Sequence, residues 1–170
     1  MAKIVWLTGL SGAGKTTLCK KIQSYLINKK CLLIDGDLFR KKNKQFSFSK
    51  KNIINNNLQI IDYCKKKFDR YDYILVSVIS PLKKTRKYAY KTFKENYFEI
   101  YIFASLKVLI KRDTKGLYKL SKKGIIKNLI GYNSKIKYEK SDHKHLSVNT
   151  SKLTKKESVL KIIKYIDSYD

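Results

Sequence analysis

Apolar residues recur along this chain in two rhythms that take turns. Short, nearly continuous apolar runs occur at Lys3–Thr8, Cys31–Ile34, Asp72–Val78, Phe98–Phe103 and Leu146–Asn149. They are too short for helices and lack the strict alternation of a half-exposed strand, so they read as strands buried on both faces. Between them the apolar spacing changes to three and four residues. Leu18, Ile22, Tyr25 and Leu26 predict one helix. Ser49 as N-cap opens a second, with Ile53, Ile54, Leu58, Ile61 and Tyr63–Phe68 along its apolar face. Pro81 suits the first turn of a third, running through Arg86 to Lys94. Leu106–Arg112 predicts a short helix, and Lys155–Tyr169 a closing one with Val159, Ile162, Ile163 and Ile166 inward. Residues Phe39–Ser49 read as a polar, basic loop. From Asp113 to Lys140 the periodicity breaks down into basic, Gly-punctuated sequence, a candidate lid. Alternating strands and helices predict an α/β fold, a five-stranded parallel sheet with helices on both faces.

Composition bounds this picture without changing it. The 170 residues suit a single domain, 1–170, and 43% hydrophobic content argues for a packed core. No apolar run approaches the roughly 18 residues of a membrane span. The first strand starts at once, without the pattern of a signal peptide, so a cytoplasmic location is expected. Cys19, Cys31 and Cys64 fall in apolar-patterned segments at no metal spacing and read as reduced thiols. His143 and His145 read as a solvated pair and not as a metal site. The formal charge of +26 raises a polynucleotide partner as a possibility. Only four of the 39 basic residues are arginines (Arg40, Arg70, Arg86, Arg112), and the lysines form no stripe. Compositional drift is therefore favoured, and no nucleic-acid or membrane partner is expected. A basic nucleic-acid-binding module remains the distant alternative. The charge would still steer small polyanions inward.

Chemistry enters between the first strand and the first helix. Gly9-Leu10-Ser11-Gly12-Ala13-Gly14-Lys15-Thr16 fits the phosphate-binding P-loop pattern, and Thr17 continues it into the helix. Glycines let the backbone wrap a phosphate, and the helix N-terminus adds positive potential. Lys15 would reach the β- and γ-phosphates of ATP, and the Thr16 hydroxyl would ligate Mg²⁺. The second strand ends in Asp35-Gly36-Asp37. Ligands in open α/β sheets bind at the carboxyl ends of strands, so these carboxylates should face the loop. They could hold the Mg²⁺ shell and orient an acceptor hydroxyl, while Arg40 could bind an acceptor phosphate.

These residues carry a resemblance. Trp6–Thr17, Asp35-Gly36-Asp37 with Arg40, Phe48-Ser49, Ile79-Ser80-Pro81, Arg112–Lys119 and Tyr138-Glu139 closely resemble the adenylyl-sulfate kinase family over nearly the whole chain. The resemblance implies transfer of the ATP γ-phosphoryl group to the ribose 3′-hydroxyl of an activated nucleotide, on a P-loop kinase fold with a mobile lid at about 113–140, in a homodimer. It puts Lys15, Asp35 and Asp37 at catalytic positions, with Thr16 and Asp35 at the metal. Arg112 would approach ATP. Asp37, Arg40, Phe48, Asn56, Ile79, Ser80, Lys115, Gly116, Leu117 and Leu129 would fall around the acceptor, with Phe48 stacking on its base.

The chain also departs from that pattern. The family's acceptor-contacting arginine falls on Ile53, and an arginine pair falls on Leu58 and Gln59. The second aromatic of the base clamp falls on Leu129, and a proline on Ser141. Base stacking is worth about 1–3 kcal/mol and a charge-assisted hydrogen bond about 1.5–3 kcal/mol. A smaller base and a less acidic 5′ group would need less of each. Cytidine 5′-diphosphoramidate, the acceptor of a capsule-modifying branch that resembles this family, is therefore favoured on sequence grounds. Adenylyl sulfate, with Lys50, Lys51 and Lys127 as substitute cations, is the alternative.

Overall fold

The computed structural model describes residues 1–43 and 49–169, so Phe48 lies outside the described residues. Five strands, β1 (Lys3–Thr8), β2 (Cys31–Asp35), β3 (Tyr73–Ser77), β4 (Tyr97–Phe103) and β5 (Leu146–Asn149), pair in parallel in the order β2-β3-β1-β4-β5. The helices are α1 (Lys15–Tyr25), α2 (Gly36–Lys42), α3 (Lys50–Lys67), α4 (Lys83–Phe93), α5 (Leu106–Arg112), α6 (Leu117–Lys122) and α7 (Lys155–Asp167). The predicted α/β sheet with helices on both faces is present.

Two apolar clusters sandwich the sheet. Val5, Leu7, Leu75, Phe98, Ile100, Ile102 and Val148 pack on one face against α1 and α7. Ile4, Trp6, Ile34, Ile74, Val76 and Tyr97 pack on the other, against Ile60, Ile61 and Cys64 of α3 and Ala89 and Phe93 of α4. Parallel strands buried on both sides account for the unbroken apolar runs of the sequence. A third cluster, Ile53, Leu82 and Ile130 with Leu10, Ile54, Ile79 and Ile136, lies beside the carboxyl end of the sheet.

Three expectations need correction. The stretch read as a loop from Phe39 begins inside α2, which runs to Lys42. The Asp35 side chain caps it, accepting from the Asp37 and Leu38 N–H groups, and Arg40, Lys41 and Lys42 sit favourably in its last turn. Pro81 stands outside α4, just before its N-cap Leu82, where its carbonyl accepts the Glu139 N–H at 2.8 Å. His143 is no solvated residue: its ring stacks on Tyr90 at 4.8 Å and its Nε2 lies 2.9 Å from Glu99. Within the lid stretch, Tyr118, Ser121, Leu129 and Ile130 are buried, and the Tyr118 hydroxyl donates to the Ser11 carbonyl at 3.0 Å. This stretch rests on the P-loop. Among the described residues no helix is long and apolar enough to cross a membrane.

Candidate active site

The loop between β1 and α1 passes under the mouth of a cavity of about 1570 Å³. Gly9 is held where a Cβ would sit 2.0 Å from the Ile102 carbonyl oxygen, which excludes any side chain. Residues Ser11, Gly12, Ala13, Gly14, Lys15, Thr16 and Thr17 all line the cavity. Leu10 packs against two of the apolar clusters instead. Lys15 curls back so that Nζ donates to the Leu10 carbonyl at 2.9 Å. Burial, followed by the nearby charge of Lys115, pulls its pKa down from 10.5 to about 8 against the opposing pull of Asp37 and Asp35.

Thr16, Asp35 and Ser77 converge one strand away. Thr16 Oγ1 donates to Asp35 Oδ2 at 2.7 Å and lies 2.9 Å from Ser77 Oγ. The other Asp35 oxygen is committed to capping α2, which locks the carboxylate in place. No group of three His, Cys, Asp or Glu among the described residues could hold a metal. A hydroxyl backed by a fixed carboxylate nevertheless fits Mg²⁺, which keeps several waters and takes its remaining oxygens from substrate phosphates. Gly36 explains the spacing of the two aspartates. A Cβ there would come within 2.7 Å of Val78 Cγ2, so only glycine lets α2 start this close to β3.

Asp37 lines the same cavity, and the Lys115 ammonium donates to its Oδ2 across the opening. Burial works to raise the Asp37 pKa, but Lys115, Lys15 and Arg40 outweigh it and hold the carboxyl below its usual value. Arg112 also lines the cavity, and its guanidinium donates to Thr150 Oγ1 at 2.9 Å and to the Thr150 carbonyl at 2.6 Å. Thr150 in turn donates to the Ala13 carbonyl at 3.0 Å, which ties Arg112 to the P-loop.

The remaining predicted acceptor residues gather less tightly. Ile79, Leu117 and Leu129 line the cavity, while Gly116 is the left-handed N-cap of α6. Arg40 is half-buried on α2 beside Asp37. Asn56 is fully buried on α3 with neither amide atom hydrogen-bonded, and the buried Ser80 hydroxyl also lacks a partner. Neither residue lines the cavity, although Ile79, next to Ser80, does; buried polar atoms without partners call for an explanation such as completion by a ligand. Sequence reasoning passed over Ser77 and Thr150. Both end or follow a strand at the carboxyl edge of the sheet, which is where such folds place ligand contacts.

The arrangement is a P-loop with its lysine, a hydroxyl–carboxylate pair that fits Mg²⁺, and a second carboxylate facing a lysine. Comparison with known proteins names the lineage. The family model described as adenylylsulphate kinase matches residues 1–149. The chain belongs to the adenylyl-sulfate kinase family. A probable adenylyl-sulfate kinase of Pyrococcus abyssi (strain GE5 / Orsay) is 39% identical over 164 residues, covering 94% of this chain and 92% of the relative. The adenylyl-sulfate kinase of Clostridium kluyveri is 33% identical over 166 residues, covering 96% and 82%. Among solved structures, the Mycobacterium tuberculosis APS kinase CysC in complex with AMPPNP and APS superposes with a TM-score of 0.85 at 26% identity, covering 98% of each chain. Members of this family are phosphotransferases with an alcohol group as acceptor, and the protein is an enzyme of that class.

Proposed function

We propose that this protein transfers the γ-phosphoryl group of ATP to the ribose 3′-hydroxyl of adenylyl sulfate. The observation that carries the acceptor is whole-chain similarity above 30% identity to proteins named for that substrate. None of the relatives described above bears a name that points to cytidine 5′-diphosphoramidate, so adenylyl sulfate displaces it as the favoured acceptor. On this reading the departures at Ile53 and Leu129 mark how the chain holds its acceptor, not a change of acceptor.

The chemistry follows from placement and charge. Thr16, backed by Asp35 and Ser77, would hold Mg²⁺, whose role when bound is to neutralise charge on the donor phosphates. Lys15, released from the Leu10 carbonyl, swings onto the β- and γ-phosphates. Asp37, ionised at neutral pH, accepts the proton of the acceptor hydroxyl; departure of Lys115, which holds its pKa down, makes it the stronger base. Lys115, unpaired from Asp37 as the acceptor enters, turns to the acceptor's anionic 5′ group. Arg112 covers the donor nucleotide. Asn56, Ser80 and Arg40 supply polar contacts to the acceptor. The family resemblance further implies a homodimer, for which light scattering should return twice the 20.0 kDa chain mass.

The test is a coupled kinase assay on both acceptors with identification of the phosphorylated product. Adenylyl sulfate should be preferred by at least tenfold in kcat/KM, about 1.4 kcal/mol in the transition state. A tenfold preference for cytidine 5′-diphosphoramidate would overturn the reading.

A further inference from the structure

On the sheet face away from α1 lies a buried charged cluster that the chemistry above leaves unused. Arg86 on α4 is 0% exposed and Glu99 on β4 is 1% exposed. Arg86 Nε donates to Glu99 Oε1 and to Ser141 Oγ, each at 3.0 Å, and Ser141 donates to the same carboxylate oxygen. The second oxygen, Oε2, lies 2.9 Å from His143 Nε2, an ion-pair distance without hydrogen-bond alignment, with the Tyr97 hydroxyl donating from 3.4 Å. Burial works to raise the Glu99 pKa, but His143, Arg86 and Ser141 outweigh it and hold the carboxyl below its usual value.

The other end of the cluster reaches the acceptor side of the site. Arg86 Nη1 donates to the Ser80 carbonyl at 2.5 Å, and Nη2 donates to the Glu139 carbonyl. Ser80 is a non-glycine residue at φ +43°, a conformation that persists only where surroundings impose it. Its neighbour Ile79 lines the cavity, and the Ile79 carbonyl accepts from Thr8 Oγ1 at 2.5 Å and from the Gly9 N–H at 3.3 Å. Pro81 accepts from Glu139 N–H on the segment that ends at His143. The Ile79-Ser80-Pro81 turn is thus set from behind by one guanidinium, and that guanidinium is set by Glu99.

We infer that His143 is a positioning residue for the acceptor. Wedged between Tyr90 and Glu99, it fixes the carboxylate, which fixes Arg86, which holds Ser80 in its left-handed turn at the acceptor wall. Among the described residues, removing the imidazole leaves Oε2 the long Tyr97 contact, frees the carboxylate to turn, and loosens the Arg86 fork on the Ser80 and Glu139 carbonyls. This inference rests on the proposed kinase reading.

The test compares wild type, His143→Ala, His143→Gln and Glu99→Gln by steady-state kinetics, with adenylyl sulfate and ATP varied separately. His143→Ala should raise KM for adenylyl sulfate at least fivefold and leave KM for ATP within twofold. His143→Gln, which places an amide N–H within reach of Glu99, should recover most of the loss. Glu99→Gln should raise the same KM, and the double variant should be no worse than the poorer single one, as expected of residues acting in series. Should His143→Ala be too unstable to assay, His143→Leu fills the space against Tyr90 without a donor and carries the same comparison. Equal KM values for His143→Ala and wild type, an equal rise in both KM values, or a glutamine variant as impaired as alanine would overturn the inference. An inactive wild type would overturn the proposed function instead. The role of His143 is then read from amide hydrogen exchange at Glu139, whose N–H donates to Pro81. Exchange there should accelerate in His143→Ala and not in His143→Gln, and unchanged exchange overturns the inference.

Discussion

Lys15 should make nucleotide binding take up a proton. In the free protein its ammonium is buried and faces Lys115, and its pKa falls from 10.5 to about 8. Bound triphosphate adds countercharge to that of Asp37 and Asp35, so the pKa returns towards the ordinary lysine value. A shift of this size is on the order of 3 kcal/mol of differential interaction between the two protonation states. At pH 8 about half of the free protein, and at pH 9 about nine-tenths, carries neutral Lys15. The assay is calorimetric titration with a magnesium complex of a non-hydrolysable ATP analogue in buffers of different ionisation enthalpy. The slope of observed heat against ionisation enthalpy should give about half a proton taken up at pH 8, close to one at pH 9, and close to none at pH 6.5. Affinity should fall about tenfold per pH unit above 8 and stay flat below it. The sign for folding is separate. The unfolded chain keeps the Lys15 proton up to about 10.5 whereas the native protein releases it near 8, so this group's contribution to stability rises with pH across that window. A proton uptake of zero at pH 8.5, or uptake that survives in Lys15→Met, would refute the argument.

Three further outcomes follow from the geometry. Asp37→Asn should lower kcat by about 10²–10⁴-fold if this carboxylate takes the acceptor proton, with KM for ATP little changed in steady-state assays. Gly36→Ala should push α2 off Val78 and carry Asp37 with it, costing about 1–3 kcal/mol in a denaturant melt and at least tenfold in kcat; unchanged kcat would show that Asp37 tolerates the shift. Asn56→Leu should raise thermal stability, because two buried amide atoms without partners are removed at about 1–3 kcal/mol each, while KM for the acceptor rises sharply. A destabilised Asn56→Leu would mean that the amide is already satisfied.

Much of this was legible from residue order because the physics behind it is local. Buried parallel strands leave unbroken apolar runs, and β1 through β5 emerged close to their bounds. The P-loop binds through backbone and one lysine, so Gly9–Thr17 could be assigned from spacing alone. Illegible parts depend on partners distant in sequence. The α2 helix was hidden because its stability comes from the Asp35 cap and from the fit of Gly36 on Val78, not from apolar periodicity. His143 looked solvated because its neighbours are lysine, aspartate and histidine, whereas its contacts come from Tyr90 and Glu99. Thr150 and Ser77 carry no motif, and their value lies only in which carbonyl or hydroxyl stands opposite. The acceptor is hard to read for a related reason, since a single position such as Ile53 says little without the packing around it.

That packing sets a rule for how this acceptor wall can change over evolutionary time. Ile53 is 1% exposed and shares a cluster with Leu82, Ile130, Leu10, Ile54, Ile79 and Ile136, drawn from α3, the approach to α4, the lid stretch and the P-loop. An arginine placed at position 53 alone would bury a guanidinium among these aliphatic groups, a severe penalty. Such a substitution becomes tolerable only after Leu82 or Ile130 has given way. These positions should therefore change as a block, with strong epistasis between residues some 80 positions apart, such as Ile53 and Ile130.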